Sequence, residues 1–162
     1  MTLAERLAES GLMDQVYRAV EAPHPDIGCG FVFDSGEGLE HVLTENHAEA
    51  LHGRDPERYP QGARDSFEPV MKPWVQAEQR GWIPLVIYHS TFGARPEFSD
   101  RNRESAVLRL EDGLVLERNP GVCHLVVRVT DGRSDSSKLF RFNDDTSAFD
   151  EIAEFDDSGR IT

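Results

Sequence analysis

The chain has 162 residues, 38% of them apolar and 9% aromatic, and a formal net charge of −13. This length and apolar content predict one folded domain over residues 1–162 and exclude a disordered chain. The acidic excess argues against a surface for nucleic acid or for an anionic membrane, because such surfaces need clustered lysines and arginines. A basic protein partner is compatible with this charge.

The two cysteines, Cys29 and Cys123, lie in apolar, strand-like segments. Two such residues do not make a disulfide framework or a zinc knuckle, so we expect buried free thiols. No apolar run approaches the roughly 20 residues of a membrane-spanning helix, and the acidic start of the chain is unlike a secretory signal. We therefore expect no membrane insertion, and synthesis and use in the cytoplasm or inside an assembly.

The apolar pattern predicts helices and strands that follow one another along the chain. The predicted helices have apolar residues at spacings near four, and the strands are short apolar runs bounded by glycine, proline or aspartate. In the first half we predict a helix over 3–21 with a break near Gly11, a strand over 28–33, a turn over 34–38, a partner strand over 39–45, a polar surface loop over 46–66 and a helix over 66–80. In the second half we predict a strand over 82–88, a short helix over 100–110, a strand over 122–129, a turn at 131–132, a strand over 138–142 and a last strand over 149–155. This order predicts an α/β fold with a mixed β-sheet flanked by helices.

The residues after the strand 82–88 are the most informative of the chain. His89 and Thr91 follow the strand, and Glu97 and Asp100 add carboxylates shortly afterwards. A His-x-His pair at a strand end directs both imidazoles to one side, because alternate side chains share a face. Threonine is a poor zinc ligand, so the segment indicates a metal site that has lost a ligand.

These residues resemble the metal motif of the MPN domain, the JAMM or JAB group of zinc isopeptidases. In that family a glutamate follows the first helix, His-x-His ends a central strand, and Pro-Ser-x-x-Asp comes next. The histidines and the aspartate bind zinc, and the glutamate handles the proton of the zinc-bound water. The three similar segments here are His24-Pro25-Asp26-Ile27-Gly28-Cys29-Gly30-Phe31-Val32, Ile87-Tyr88-His89-Ser90-Thr91 and Arg95-Pro96-Glu97-Phe98-Ser99-Asp100-Arg101. The resemblance implies a single-domain MPN-like (cytidine-deaminase-like) fold.

A narrower resemblance is to the MPN part of lambdoid phage tail assembly and minor tail proteins. It rests on short strings: Ala77-Glu78-Gln79-Arg80-Gly81-Trp82-Ile83-Pro84-Leu85-Val86, Cys29-Gly30-Phe31-Val32 and Glu45-Asn46-His47-Ala48. The resemblance covers most of residues 10–130. It implies a place in the virion tail after synthesis in the host cytoplasm, with other phage tail proteins as partners.

Residue by residue, the resemblance implies a degenerate site. His89 matches the first zinc histidine, and Thr91 replaces the second. Ile27 stands where the general base is expected, and an isoleucine cannot accept a proton. Loss of a general base typically costs about 10²–10⁴-fold in rate. Asp26, one residue earlier, would face the other side of a strand.

Two registers are open for the third ligand. In the register that we prefer, the loop is two residues shorter than in the family. Asp100 then matches the zinc aspartate, and Glu97 stands in the place of the serine. Without the shortening, Ser99 keeps the serine position and Asn102 falls on the aspartate. Independently of the resemblance, Ser99 or Asp100 is a suitable N-cap for the helix that follows.

The resemblance with these substitutions predicts a non-catalytic protein with no cofactor and no catalytic residue, in which His89 and Asp100 are vestigial metal positions. We expect it to act through protein–protein contacts, as a phage minor tail, tail-tip or tail assembly component. The acidic surface, the 46–66 loop and the segment after residue 143 are candidate contacts. One alternative is an active zinc isopeptidase or metallopeptidase whose site is rebuilt with Glu97, His47 or His52. Another is a binding module for a ubiquitin-like protein.

Overall fold

The structure, a computed structural model that describes residues 1–162, contains eight strands and five helices. The strands are β1 (Cys29–Asp34), β2 (Leu39–Leu43), β3 (Ile83–Thr91), β4 (Val107–Arg109), β5 (Val115–Glu117), β6 (Cys123–Thr130), β7 (Arg133–Asn143) and β8 (Ala148–Phe155). The helices are α1 (Leu3–Glu9), α2 (Leu12–Glu21), α3 (Ala48–Arg54), α4 (Lys72–Gln79) and α5 (Asp100–Ser105).

Six strands form one mixed sheet in the order β2-β1-β3-β6-β7-β8, and β4 and β5 form a separate two-stranded sheet. Strands β3 and β6 are parallel, whereas the other neighbouring pairs are antiparallel. The predicted α/β fold, a mixed sheet flanked by helices, is confirmed.

One face of the sheet is covered by α1 and α2. Their buried side chains recur at helical spacing, and Gly11 breaks the helix between them with a φ of 75°, as predicted. They pack on alternate residues of the central strands, such as Val86 and Tyr88 of β3 and Leu125 of β6. Because alternate residues of a strand point to opposite faces, His89 and His124 lie on the other side of the sheet.

The opposite face is covered in two parts. Trp74 of α4 packs with Phe31 and Phe33 of β1 over one half. Over the other half, a cluster around Phe98 includes residues of β4, β6, β7 and β8. His89 lies between these two clusters, where the loop before α4 and the helix α5 come together.

Five predicted boundaries were wrong. The strand predicted over 138–142 begins at Arg133, as β7. The segment 46–66 contains the helix α3, and the helix predicted over 66–80 begins only at Lys72. Strand β3 runs on through Thr91, so the His-Ser-Thr sequence is strand and not loop. The helix predicted over 100–110 ends at Ser105 and is followed by β4.

Hydrogen bonds of the Asn46 side chain, most of them to distant segments, account for the region between β2 and α4. The side chain of Asn46 donates to the carbonyls of Ile27 and Ser66, each at 2.9 Å. Its amide oxygen accepts from the backbone N–H groups of Ala48, at 3.0 Å, and Glu68, at 2.9 Å. The bonds to Ser66 and Glu68 hold residues 66–68 in a non-helical conformation, and those to Ile27 and Ala48 place them beside β1 and the start of α3.

Other local predictions are confirmed. The turn between β6 and β7 is formed by Asp131 and Gly132, both with positive φ. Cys29 and Cys123 are buried free thiols, and burial raises the pKa of Cys29 to about 12. Every helix is too short or too polar to cross a bilayer.

Candidate functional site

His89 lies on β3 between aromatic rings and is 2% exposed. Phe67 stacks on the imidazole with ring centroids 4.3 Å apart and an angle of 14° between the planes. Phe98 lies on another side, at 6.2 Å between centroids. The register pairs His89 with Val126 of the parallel strand β6. The ring is therefore held by packing on all sides.

A side chain of α5 provides the one hydrogen bond of this imidazole. The Asn102 side-chain amide donates to Nε2 of His89 at 3.1 Å. Ser99 is the N-cap of α5, and its hydroxyl accepts from the Asn102 backbone N–H at 3.2 Å, which fixes Asn102 in the first turn. Nδ1 of His89 is buried without a hydrogen-bond partner. With Nε2 accepting, Nδ1 holds the ring proton.

Two histidines of this region are buried and neutral. Burial, with a smaller contribution from the neighbouring imidazole of His124, lowers the pKa of His89 to about 3. Burial also lowers the pKa of His124 to about 4. The His124 ring stacks on Phe98, with centroids 4.9 Å apart, and meets Phe149 edge-on. At neutral pH neither ring is a cation, because the apolar surroundings disfavour the charged form.

The predicted third ligand lies away from His89. Asp100 is exposed at the start of α5, and no hydrogen bond or ion pair joins it to His89. Glu97 is exposed as well, with a carboxylate oxygen 3.7 Å from the Lys138 ammonium. Asn102 is the residue beside His89, which is the contact expected from the register that keeps Ser99 in the serine position.

The segment that precedes β1 lies against the end of β3. The Gly28 N–H donates to the Ser90 hydroxyl at 2.9 Å, and the Ser90 N–H donates to the Gly28 carbonyl at 3.0 Å. Ile27 is buried, with its own N–H donating to the Ala63 carbonyl at 2.7 Å. Thr91, half-buried at the end of β3, accepts a long hydrogen bond of 3.5 Å from Gly93. The fold therefore brings the three motif-like segments together. Within them, Ile27 supplies an alkyl side chain and Thr91 supplies a hydroxyl.

The side chains of this region do not fit a zinc ion. No three His, Cys, Asp or Glu residues lie close enough together to hold a metal. The Nε2 lone pair of His89, which a metal would need, accepts from Asn102. A ring nitrogen of His52 is 2.7 Å from the Tyr59 carbonyl, and no hydrogen bond joins His47 or His52 to His89.

A cavity of about 500 Å³ opens beside this histidine pair. It lies between residues 66–71 and α5, with His124 and Phe98 among its lining residues. Arg101, Arg118 and Glu68 also line it, so its lining has two cations and one carboxylate on an acidic protein. These groups can bind a small ligand or a peptide side chain through stacking and hydrogen bonds.

Sequence reasoning missed three residues of this region: Phe67, Phe98 and His124. The helix predicted over 66–80 includes Phe67, whereas α4 begins five residues after it. His124 interrupts a continuous apolar strand. This interruption could have indicated a buried histidine, because a strand with a continuous apolar run is buried on both faces.

No protein-family model matches the chain, and no curated protein matches it. Among solved structures, the chain is similar to a Salinibacter ruber protein with 16% identity and a TM-score of 0.50, over 87% of this chain and 84% of that chain. It is also similar to a Desulfitobacterium hafniense protein with 17% identity and a TM-score of 0.50, over 86% of this chain and 84% of that chain. At these identities the similarity shows a shared α/β fold alone.

Proposed function

We propose that this chain is a non-catalytic MPN-like structural protein that acts through contacts with other proteins. The observation that supports this most is the hydrogen bond between Asn102 and Nε2 of His89. It places a neutral amide where the family resemblance expects a zinc-binding carboxylate, and it uses the nitrogen that would bind the metal.

The other two substitutions support the same proposal. Thr91 supplies a neutral hydroxyl in place of the second histidine, whereas catalytic zinc sites use three protein ligands and a water. Ile27 supplies a buried alkyl group in place of the general base. Ligand and base functions are thus both missing, and the neutral His89 is accommodated by packing and one hydrogen bond.

Metal content tests the loss of catalysis. We expect purified protein to contain no stoichiometric zinc by elemental analysis. We expect the variant T91H/N102D to gain about one zinc per chain, because it restores one imidazole and one carboxylate beside His89. About one zinc per wild-type chain, together with a peptidase activity that H89A abolishes, would contradict the proposal.

We propose the tail of a phage virion as its location, with other tail proteins as partners. The support is the set of short strings around Cys29, Glu45 and Ala77 that resemble tail proteins. Mass spectrometry and density maps of purified virions test this location. Finding the chain only free in host cytoplasm would contradict it.

A binding module for a ubiquitin-like protein is the second candidate. The cavity between residues 66–71 and α5 favours it, because a groove next to a vestigial site can hold a peptide without cutting it. Recovery of such a protein from the native host, with the chain absent from virions, would support this candidate over the tail component.

A further inference from the structure

The β4–β5 hairpin exposes four leucines on one face. Leu108, Leu110, Leu114 and Leu116 are 39%, 44%, 49% and 43% exposed. Leu108 pairs with Leu116, and the Leu110 N–H donates to the Leu114 carbonyl at 2.9 Å. The side chains form two neighbouring cross-strand pairs, because alternate residues of a strand share a face. We call these four residues the leucine face.

The other face of the hairpin already anchors it to the domain. Val107 is 7% exposed and belongs to the cluster around Phe98, and Val115 packs against the same cluster. The leucine face is therefore not needed to attach the hairpin. Single exposed leucines are common on protein surfaces, whereas a contiguous apolar patch marks an interaction site.

The charges at the rim of the leucine face are mainly negative. Glu111 and Asp112 form the exposed turn beside Leu110 and Leu114, and neither takes part in an ion pair. Glu117 pairs with Val107 and lies on the opposite, anchoring face. Arg109 is neutralised by an ion pair with a glutamate of α5. Arg118 donates from its guanidinium to backbone carbonyls, and one positive charge remains against the two negative charges of the turn.

We propose that the leucine face docks an amphipathic helix of another protein, with one apolar stripe flanked by lysines or arginines. This inference rests on the proposed structural role and names the surface and the partner chemistry. The two leucine pairs are spaced about 5 Å across the strands and about 7 Å along them. An apolar stripe over two helical turns covers about 10 Å at 1.5 Å per residue, so the two surfaces match in size.

A second copy of the chain fits this surface less well than a basic helix. A stable protein interface buries about 800 Å² on each partner, and four partly exposed leucines provide only part of that area. A copy would also bring a second acidic rim within about 8 Å, the range over which like charges repel at physiological salt. Lysines or arginines beside the apolar stripe would instead approach Glu111 and Asp112.

A synthetic peptide tests the proposal on the intact protein. The probe is a fluorescent leucine–lysine peptide of about 18 residues, patterned as an amphipathic helix. We expect it to bind at least about tenfold more tightly than a scrambled peptide of the same composition and than a leucine–glutamate peptide of the same pattern. The variant L110T/L114T should weaken binding at least about tenfold, since both substitutions keep the charge and suit a strand.

The matched control is I83T. Ile83 is 60% exposed at the start of β3, outside the hairpin, and its loss should leave binding unchanged. Circular dichroism verifies that the variants are folded.

Equal binding by the wild type and L110T/L114T would overturn the proposal. So would a wild-type dimer in sedimentation experiments that L110T/L114T dissociates, since a second copy would then be the occupant. Either failure leaves the zinc measurement unaffected, and absence of the chain from virions leaves the peptide result unaffected. The two proposals can therefore fail separately.

Discussion

The imidazole of His89 shows how one neighbouring side chain determines the chemistry of a buried group. Packing against Phe67 excludes water, and burial lowers the pKa to about 3, so the ring is neutral. A neutral ring can bind a metal or accept a hydrogen bond with the same lone pair. The Ser99 cap holds Asn102 in place, and the Nε2 lone pair of His89 accepts a hydrogen bond from the Asn102 amide.

Removing the Asn102 amide should destabilise the protein. In N102A the Nε2 lone pair of His89 loses its partner in a buried position, which typically costs about 1–3 kcal/mol. Urea unfolding measures this change. N119A is the matched control: Asn119 lines the same cavity, makes no side-chain hydrogen bond, and should change stability by less than about 0.5 kcal/mol. Equal effects of the two substitutions would mean that the amide–imidazole bond contributes nothing.

At the scale of helices and strands, periodicity predicted the elements that bury an apolar face. The α1–α2 pair and the strands β1, β3 and β6 follow apolar patterns of the expected period. Helix α3 was missed because it buries only Ala48 and so has no apolar stripe. The late start of α4 depends on the contacts that Asn46 makes with distant segments, and these contacts are not visible in a local pattern.

The candidate site was predictable only in part, because some of its contacts join distant segments that a local pattern does not show. The strand end around His89 was found from its sequence, since a buried strand and a polar cluster are local signals. The choice between Asp100 and Asn102 was not, because it depends on how α5 is rotated against β3. Local spacing gives two registers, and only packing selects the one in which Asn102 faces the imidazole.

Two glycines of different elements should respond oppositely to alanine. At Gly30, in β1, a Cβ would overlap the Tyr88 phenol ring, with Cε2 at 2.7 Å. Tyr88 is fully buried, and its hydroxyl oxygen lies 2.6 Å from Nε2 of His41. Because this ring cannot move freely, we expect G30A to lower the free energy of unfolding by about 1–3 kcal/mol. At Gly53, in α3, nothing lies within 4 Å of a new Cβ, so G53A should stabilise by up to about 1 kcal/mol. Thermal unfolding of both variants measures this contrast, and stabilisation by G30A would contradict the packing of β1 on β3.

For the molecule as a whole, the surface charge and the buried histidines change the free energy of unfolding in opposite directions as the pH falls. The net charge of −13 decreases in magnitude on acidification, which relieves repulsion between surface carboxylates. His89 and His124 instead favour the unfolded state, because they accept protons readily only when exposed to water. The slope of the unfolding free energy against pH therefore distinguishes the contribution of the two buried histidines from that of the surface carboxylates.

The buried pair should make the protein acid-sensitive in a defined pH range. The unfolded histidines titrate near pH 6.5, whereas the folded pKa values are about 3 for His89 and about 4 for His124. Above about pH 7.5 both histidines are neutral in the folded and the unfolded state, and this contribution does not change. Between about pH 6 and pH 4 the unfolded state binds two more protons, so unfolding free energy should fall by up to about 2.7 kcal/mol per pH unit from this pair.

Substitution of one histidine isolates this contribution. H124F keeps an aromatic ring against Phe98 and removes one titrating group, so the slope between pH 6 and pH 4 should decrease by about 1.4 kcal/mol per pH unit. H24Q, which changes an exposed histidine, is the matched control substitution. Denaturant unfolding at several pH values measures all three proteins. An unchanged slope in H124F would contradict the lowered pKa of His124 between Phe98 and Phe149.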